Sequence, residues 1–144
     1  RNLFKLIFAL PIMQKIVSFL KGNTDYFYFA FRVLVGLMFM QHGAQKLFGA
    51  FGGNAVGTYF SLFGLAGFIE FFGGLLIAFG LLTRLAAFLG MCVMIGAWAI
   101  VHIPKGFVPI VNGGELAAMF FAAFLVILAK GCGKAGLDNF FKRQ

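Results

Sequence analysis

Residues 60–103 read FSLFGLAGFIEFFGGLLIAFGLLTRLAAFLGMCVMIGAWAIVHI, and this stretch decides the fold of the chain. It consists of two apolar runs, each about long enough to cross a bilayer as an α-helix. The two runs are joined by Thr83 and Arg84. Because so short a connection holds consecutive helices side by side, we predict antiparallel helices at residues 60–82 and 85–103.

The composition extends this prediction to the whole chain. Of its residues, 62% are hydrophobic and 11% are charged, and the mean hydropathy is +0.98. Such a composition leaves no polar coat for a water-soluble protein. Two further apolar runs occur at residues 26–48 and about 114–129. The predicted fold class is therefore all-α, an integral membrane four-helix bundle over residues 26–130.

The segments that flank this bundle are basic. Residues 1–25 mix apolar side chains with lysines and are interrupted by Pro11, so they predict an interfacial amphipathic segment. Residues 131–144 predict a basic tail. Nine basic residues lie on the side of the termini, whereas the opposite helix ends hold only Lys46 and Lys105. We therefore expect both termini in the cytoplasm, with the net charge of +8 meeting membrane lipid and not nucleic acid.

Ionisable residues within or beside the apolar runs indicate a site, because such groups are costly inside a bilayer. They are Arg32, His42, Lys46, Glu70, His102 and Glu115. At about 1.5 Å of helix per residue, all but Arg32 fall in the outer half of the bundle, and Arg32 lies about 21 Å below Lys46. Lys46 and Glu70 share one depth, so Glu70 is positioned to meet Lys46 or His42, and we predict an ion pair with Lys46. Glycines beside Glu70 would let the two helices approach closely.

The sequence predicts no metal centre. Cys92 and Cys132 form no CxxC pair, so they indicate neither a dithiol nor a zinc site. The only candidate haem ligands are His42 and His102, and histidines at helix ends are more common as interfacial anchors. We therefore expect no haem.

Four motifs, in this order, resemble those of the DoxX family: HGAQKL at residues 42–47, GFIEFFGG at 67–74, GLLTR at 80–84 and NGGE at 112–115. The resemblance covers about residues 29–128. It implies a small four-helix protein of the bacterial cytoplasmic membrane, similar to the membrane subunit of thiosulfate:quinone oxidoreductases. It also implies a quinone-linked redox role, while the missing CxxC pair removes a thiol-exchange route.

In this quinone hypothesis, Glu70 and His42 are the catalytic residues. Glu70 would exchange protons, and His42 would form a hydrogen bond with a quinone oxygen. The residues expected to bind the substrate are Lys46, Glu115, Asn112 and Arg32. Because the chain shows no redox centre of its own, we expect the electrons to come from a partner protein.

Two other functions fit the same residues. The chain could be an accessory or structural subunit that docks on a larger membrane complex, or on copies of itself, through phenylalanine and glycine faces. It could also provide a pathway for a small molecule or an ion, although four helices leave little lumen. In a purely structural role, the Lys46–Glu70 pair would only fix the register of two helices.

Overall fold

The computed structural model describes residues 10–141, which are helical and contain no β-strand. Its α-helices are α1 (Pro11–Gly22), α2 (Thr24–Phe48), α3 (Leu62–Phe79), α4 (Thr83–Ala97), α5 (Pro109–Asn112), α6 (Glu115–Lys130) and α7 (Asp138–Phe141). The predicted all-α class is confirmed. Parts of two predicted segments, residues 1–9 and 142–144, lie outside the described residues.

Short turns of other helix types extend two of these helices. The π-helical turn Trp98–His102 and the 3-10 turn Ile103–Lys105 continue α4, and the 3-10 turn Ala50–Gly52 follows α2. Within residues 10–141, two helices are long and apolar enough to cross a membrane. They are Leu62–Phe79, with a mean hydropathy of 2.0, and Thr83–Lys105, with a mean hydropathy of 2.1.

Helices α2 and α3 touch along their backbones. A Cβ atom at Gly43 would overlap the backbone of Phe71, and a Cβ atom at Gly36 would lie only 2.6 Å from the backbone nitrogen of Ala78. Small residues allow this approach because no side chain separates the two helices. The close contact fixes which residues of α2 and α3 face each other at every depth.

Aromatic packing joins α2 to α6. Phe39 is fully buried, and its ring centroid lies 5.4 Å from that of Phe120 and 4.7 Å from that of Phe124. The Phe124 ring also fills the space above Gly90 of α4, where a Cβ atom would meet it at 2.8 Å. Helices α2, α3, α4 and α6 thus share one core, and large apolar side chains cover much of the outer surface.

The chain from the end of α6 to the start of α7, residues 131–138, docks on the turn between α3 and α4. The Asp138 carboxylate accepts hydrogen bonds from the backbone N–H groups of Leu82, at 2.7 Å, and of Thr83, at 3.1 Å. A carboxylate at this position caps the first turn of α4 and interacts favourably with its helix dipole. Over residues 131–141, the predicted basic tail is therefore folded onto the bundle.

Two other segments flank the bundle. The connection after α2 folds back, since the Val56 N–H donates to the Lys46 carbonyl oxygen at 2.8 Å. Helix α1 has no buried residue, and exposed apolar side chains recur along it at Ile12, Ile16 and Phe19, which share one face.

Candidate functional site

The predicted ion pair is present where the end of α2 meets α3. Lys46 Nζ lies 2.5 Å from Glu70 Oε1, and the Glu70 side chain is only 2% exposed. The Lys46 side chain is 30% exposed. A buried carboxylate of this kind requires a nearby positive charge, since burial of an uncompensated charge is costly. The backbone contact between α2 and α3 provides that partner.

The second oxygen of Glu70 is not used by the fold. Glu70 Oε2 is buried and has no hydrogen-bond partner among the described residues. Buried polar atoms in proteins are nearly always paired, so an unpaired one calls for an explanation. Glu70 is also one of the residues that line a cavity.

A cavity of about 190 Å³ lies beside the ion pair. Its polar wall is formed by His42, Lys46, Glu70 and His102. The remainder is apolar or small and consists of Phe39, Met94, Ala97, Gly113, Leu116, Ala117 and Phe120. The arrangement therefore combines ionisable groups with a mostly apolar lining, as in many small-molecule sites.

His42 lies one helical turn before Lys46 and is half-buried. Its ring packs edge-on against Phe120, with centroids 5.8 Å apart and an interplanar angle of 87°. This contact holds the imidazole at the cavity wall. The structure thus brings together three predicted site residues: His42, Lys46 and Glu70.

His102 also lines the cavity, although it was predicted to be an interfacial anchor and was not among the expected catalytic or substrate-binding residues. It ends the π-helical turn, and such turns often occur at functional sites. Its Nδ1 lies 3.2 Å from the carbonyl oxygen of Asn112. The one available signal in the sequence was its depth, which matches that of His42. The turn that points it at the cavity was not visible in the sequence.

Asn112 supports the site from behind. Both polar atoms of its side chain form hydrogen bonds within the connection between α4 and α6: Nδ2 donates to the Gly106 carbonyl oxygen and Oδ1 accepts from the Gly114 N–H, both at 2.7 Å. Its backbone carbonyl holds the His102 ring. The predicted substrate-binding residue Asn112 therefore does not itself line the cavity, although it fixes a residue that does.

Glu115 and Arg32 are not brought to the cavity. Glu115 is exposed in the first turn of α6. Arg32 is fully buried toward the other end of α2, where its guanidinium donates to the carbonyl oxygens of Ile77, Ala78 and Ala135. These acceptors belong to the last turn of α3 and to the docked C-terminal segment. In this arrangement Arg32 binds the protein itself and has no contact with the cavity.

Comparisons with known proteins give a family but no described activity. A family model described as DoxX matches residues 27–103, a range that contains His42, Lys46, Glu70 and His102. A Haemophilus influenzae protein described as uncharacterized is 42% identical over 133 residues, which cover 86% of this chain and 98% of that protein. A second such protein from the same organism is 33% identical over 69 residues, covering 47% of this chain and 45% of that protein. No solved structure matches the chain.

Proposed function

Since this chain belongs to the DoxX family of membrane proteins, we propose that it is an integral membrane subunit of a quinone-linked oxidoreductase. The site of this activity is the cavity bounded by His42, Lys46, Glu70 and His102. The observation that carries the proposal is the buried Lys46–Glu70 pair, whose second carboxylate oxygen is left without a partner beside that cavity. Ionisable groups within apolar helices are costly, and they are retained mostly where they have a function.

The residues present fit the headgroup of a quinone. An engineered cavity of about 150 Å³ in another protein holds benzene, so a cavity of about 190 Å³ accommodates one six-membered ring. Phe120 and Leu116 contribute to the apolar lining around such a ring, and Lys46 offers an ammonium donor to a ring oxygen. A quinone, when bound, supplies the capacity to take up two electrons and two protons.

The residues of the chain perform the charge and proton steps. Lys46 stabilises negative charge that develops on a ring oxygen, and it acts strongly because the cavity is mostly apolar. Glu70 holds or releases a proton at Oε2, the oxygen that Lys46 does not occupy. His42 forms a further hydrogen bond to the ring oxygen. Because the chain has only two cysteines and no CxxC pair, the electrons come from a partner protein.

The proposed membrane arrangement has four spans formed by α2, α3, α4 with its π-helical extension, and α6. Helix α6 has 16 residues and is about 24 Å long, so it spans only with local thinning of the bilayer or with help from the preceding loop. Helix α1 lies at the lipid surface through its apolar face, with Lys15 and Lys21 near anionic headgroups. The location is the bacterial cytoplasmic membrane, and the partners are lipid and other subunits or copies of this chain.

The orientation of these spans is testable with single cysteines in a variant that lacks Cys92 and Cys132. We expect Lys105→Cys to react with a membrane-impermeant maleimide in intact cells. Lys134→Cys should react only after the cells are made permeable, because basic residues accumulate on the cytoplasmic side. Each variant serves as the control for the other. Labelling of position 134 from outside, or of position 105 only from inside, would show that the orientation is wrong.

Replacing Glu70 by Gln tests the redox role. Glutamine keeps the shape of the side chain and an acceptor oxygen for Lys46, but it cannot exchange a proton. We expect quinone-linked turnover per assembled complex to fall by about a hundredfold. Asp25→Asn makes the same chemical change at an exposed carboxylate near the start of α2 and should leave turnover unchanged.

The same measurement separates the redox role from that of an accessory subunit. In an accessory subunit, activity of the parent complex would follow the amount of assembled protein, and turnover per complex would stay constant. His42→Ala provides a second test at the cavity wall. If turnover per complex is unchanged in both the Gln and the Ala variants, the redox proposal fails and the accessory role replaces it.

A further inference from the structure

Glu70, which lines the cavity, carries a hydrogen-bond acceptor that no described residue satisfies. In the ionised state that Lys46 stabilises, which is the state that can take up a proton, the Glu70 carboxylate only accepts hydrogen bonds; Oε1 accepts from Lys46, and Oε2 has no partner among the described residues. Glu70 as a whole is 1% exposed, so bulk water does not reach this oxygen. A bound group that donates a hydrogen bond would supply the missing partner of Glu70 Oε2.

His102 adds a second acceptor to the same cavity. Its Nδ1 faces the Asn112 carbonyl oxygen, which cannot donate, so the ring nitrogen carries the hydrogen of this bond. In the neutral imidazole the other nitrogen, Nε2, is then an acceptor. Lys46 is the opposite case, because its ammonium group only donates. The polar wall therefore combines acceptors on Glu70 and His102 with a donor on Lys46.

We infer that this cavity binds the hydroxylated form of a single aromatic ring, a phenol or quinol headgroup, in preference to the matching carbonyl or ether form. The inference rests on the proposed function, because it concerns the same cavity. A ring hydroxyl can donate to a carboxylate oxygen and also accept from the Lys46 ammonium group. A carbonyl or ether oxygen can satisfy Lys46, but beside Glu70 Oε2 it places one acceptor against another.

Three probes of similar size separate these forms: 2,3,5,6-tetramethylphenol, its methyl ether, and 2,3,5,6-tetramethylbenzoquinone. The quinone has no free ring carbon, so it does not add to Cys92. Binding to the full chain in mild detergent is followed by the fluorescence of Trp98, the single tryptophan, whose ring centroid lies 6.2 Å from that of His102. Titration calorimetry provides an independent affinity for each probe.

We expect the phenol to bind roughly tenfold more tightly than the ether or the quinone, because only the phenol pairs the buried oxygen. In Glu70→Gln the amide can donate, so the preference for the phenol should shrink to about threefold or less. Asp25→Asn should keep the tenfold preference. Partitioning of the probes into micelles is the same for all three proteins, so comparing their preferences cancels it.

Equal affinities of the wild type for the three probes would overturn the inference. An unchanged preference in Glu70→Gln would also overturn it, and so would a result in which none of the three probes binds. The wild-type affinity of each probe is also corrected for the partitioning of that probe into protein-free micelles, so the comparison in the wild type remains decisive if the Gln variant does not fold. Failure of the proposed function is recognised differently, by unchanged quinone-linked turnover per complex in Glu70→Gln. A site that binds both ring forms equally but loses turnover in that variant would refute only the inference.

Discussion

Replacing Lys46 by Met is expected to lower the free energy of unfolding by about 3 to 5 kcal/mol, because it leaves the Glu70 carboxylate buried without a charge partner. Replacing Glu70 by Leu should cost less. The remaining Lys46 side chain is 30% exposed and can extend its ammonium group toward water. In the double variant, the free energy of unfolding should fall by less than the sum of the two single effects, and the difference, the coupling energy, should be about 1 to 3 kcal/mol.

The measurement is reversible unfolding in detergent, monitored by helical circular dichroism, for the wild type, both single variants and the double variant. Lys105→Met removes a lysine that lies outside the cavity and is therefore the matched control for Lys46→Met. Its effect should be within about 0.5 kcal/mol of zero. If the two single losses simply add in the double variant, Lys46 and Glu70 are not energetic partners despite their contact.

Replacing Arg32 by Met should also cost about 3 to 5 kcal/mol, for a different reason. The side chain is fully buried and donates to the carbonyl oxygens of Ile77, Ala78 and Ala135; all three would lose the guanidinium, and the Ile77 oxygen would keep its bond from the Gly80 N–H. Arg32→Lys should recover only part of this loss, because an ammonium group is a compact charge and cannot replace the planar fork of the guanidinium. The docked segment, which Arg32 holds through Ala135, should become more accessible to protease.

Arg84→Met is the control for this second prediction. Arg84 is exposed and donates one hydrogen bond, to the carbonyl oxygen of Ala129 at 3.1 Å. Its loss should cost about 1 kcal/mol or less. Unfolding in detergent and limited proteolysis near residue 135 measure the two effects. Similar stability and similar cleavage in the Arg32→Met and Arg84→Met variants would contradict the role of Arg32 in fastening this segment.

The helices and the central ion pair could be predicted from the sequence. Both depend on the number of residues along each apolar run, which sets the length of a helix and the depth of each side chain along it. Predicted span positions lie within a few residues of the observed helices, since apolar run length and breaker residues define them. The partnership of Lys46 with Glu70 followed from depth, which the constant rise per residue fixes along a helix. Glycines at the facing positions then made the close approach of α2 and α3 predictable.

The remaining features depend on contacts between segments that are distant in sequence, and only the tertiary structure decided them. Arg32 was expected to bind the substrate although its depth differs from that of the other site residues, and its acceptors lie at the end of another helix and in a segment about a hundred residues later. His102 joined the cavity because a π-helical turn and the Asn112 carbonyl orient its ring, neither of which follows from apolar periodicity. The unpaired Glu70 oxygen likewise emerges only when every neighbouring donor has a position. A sequence fixes depth along each helix through local geometry, whereas the direction and partner of each polar side chain are set by how the helices pack.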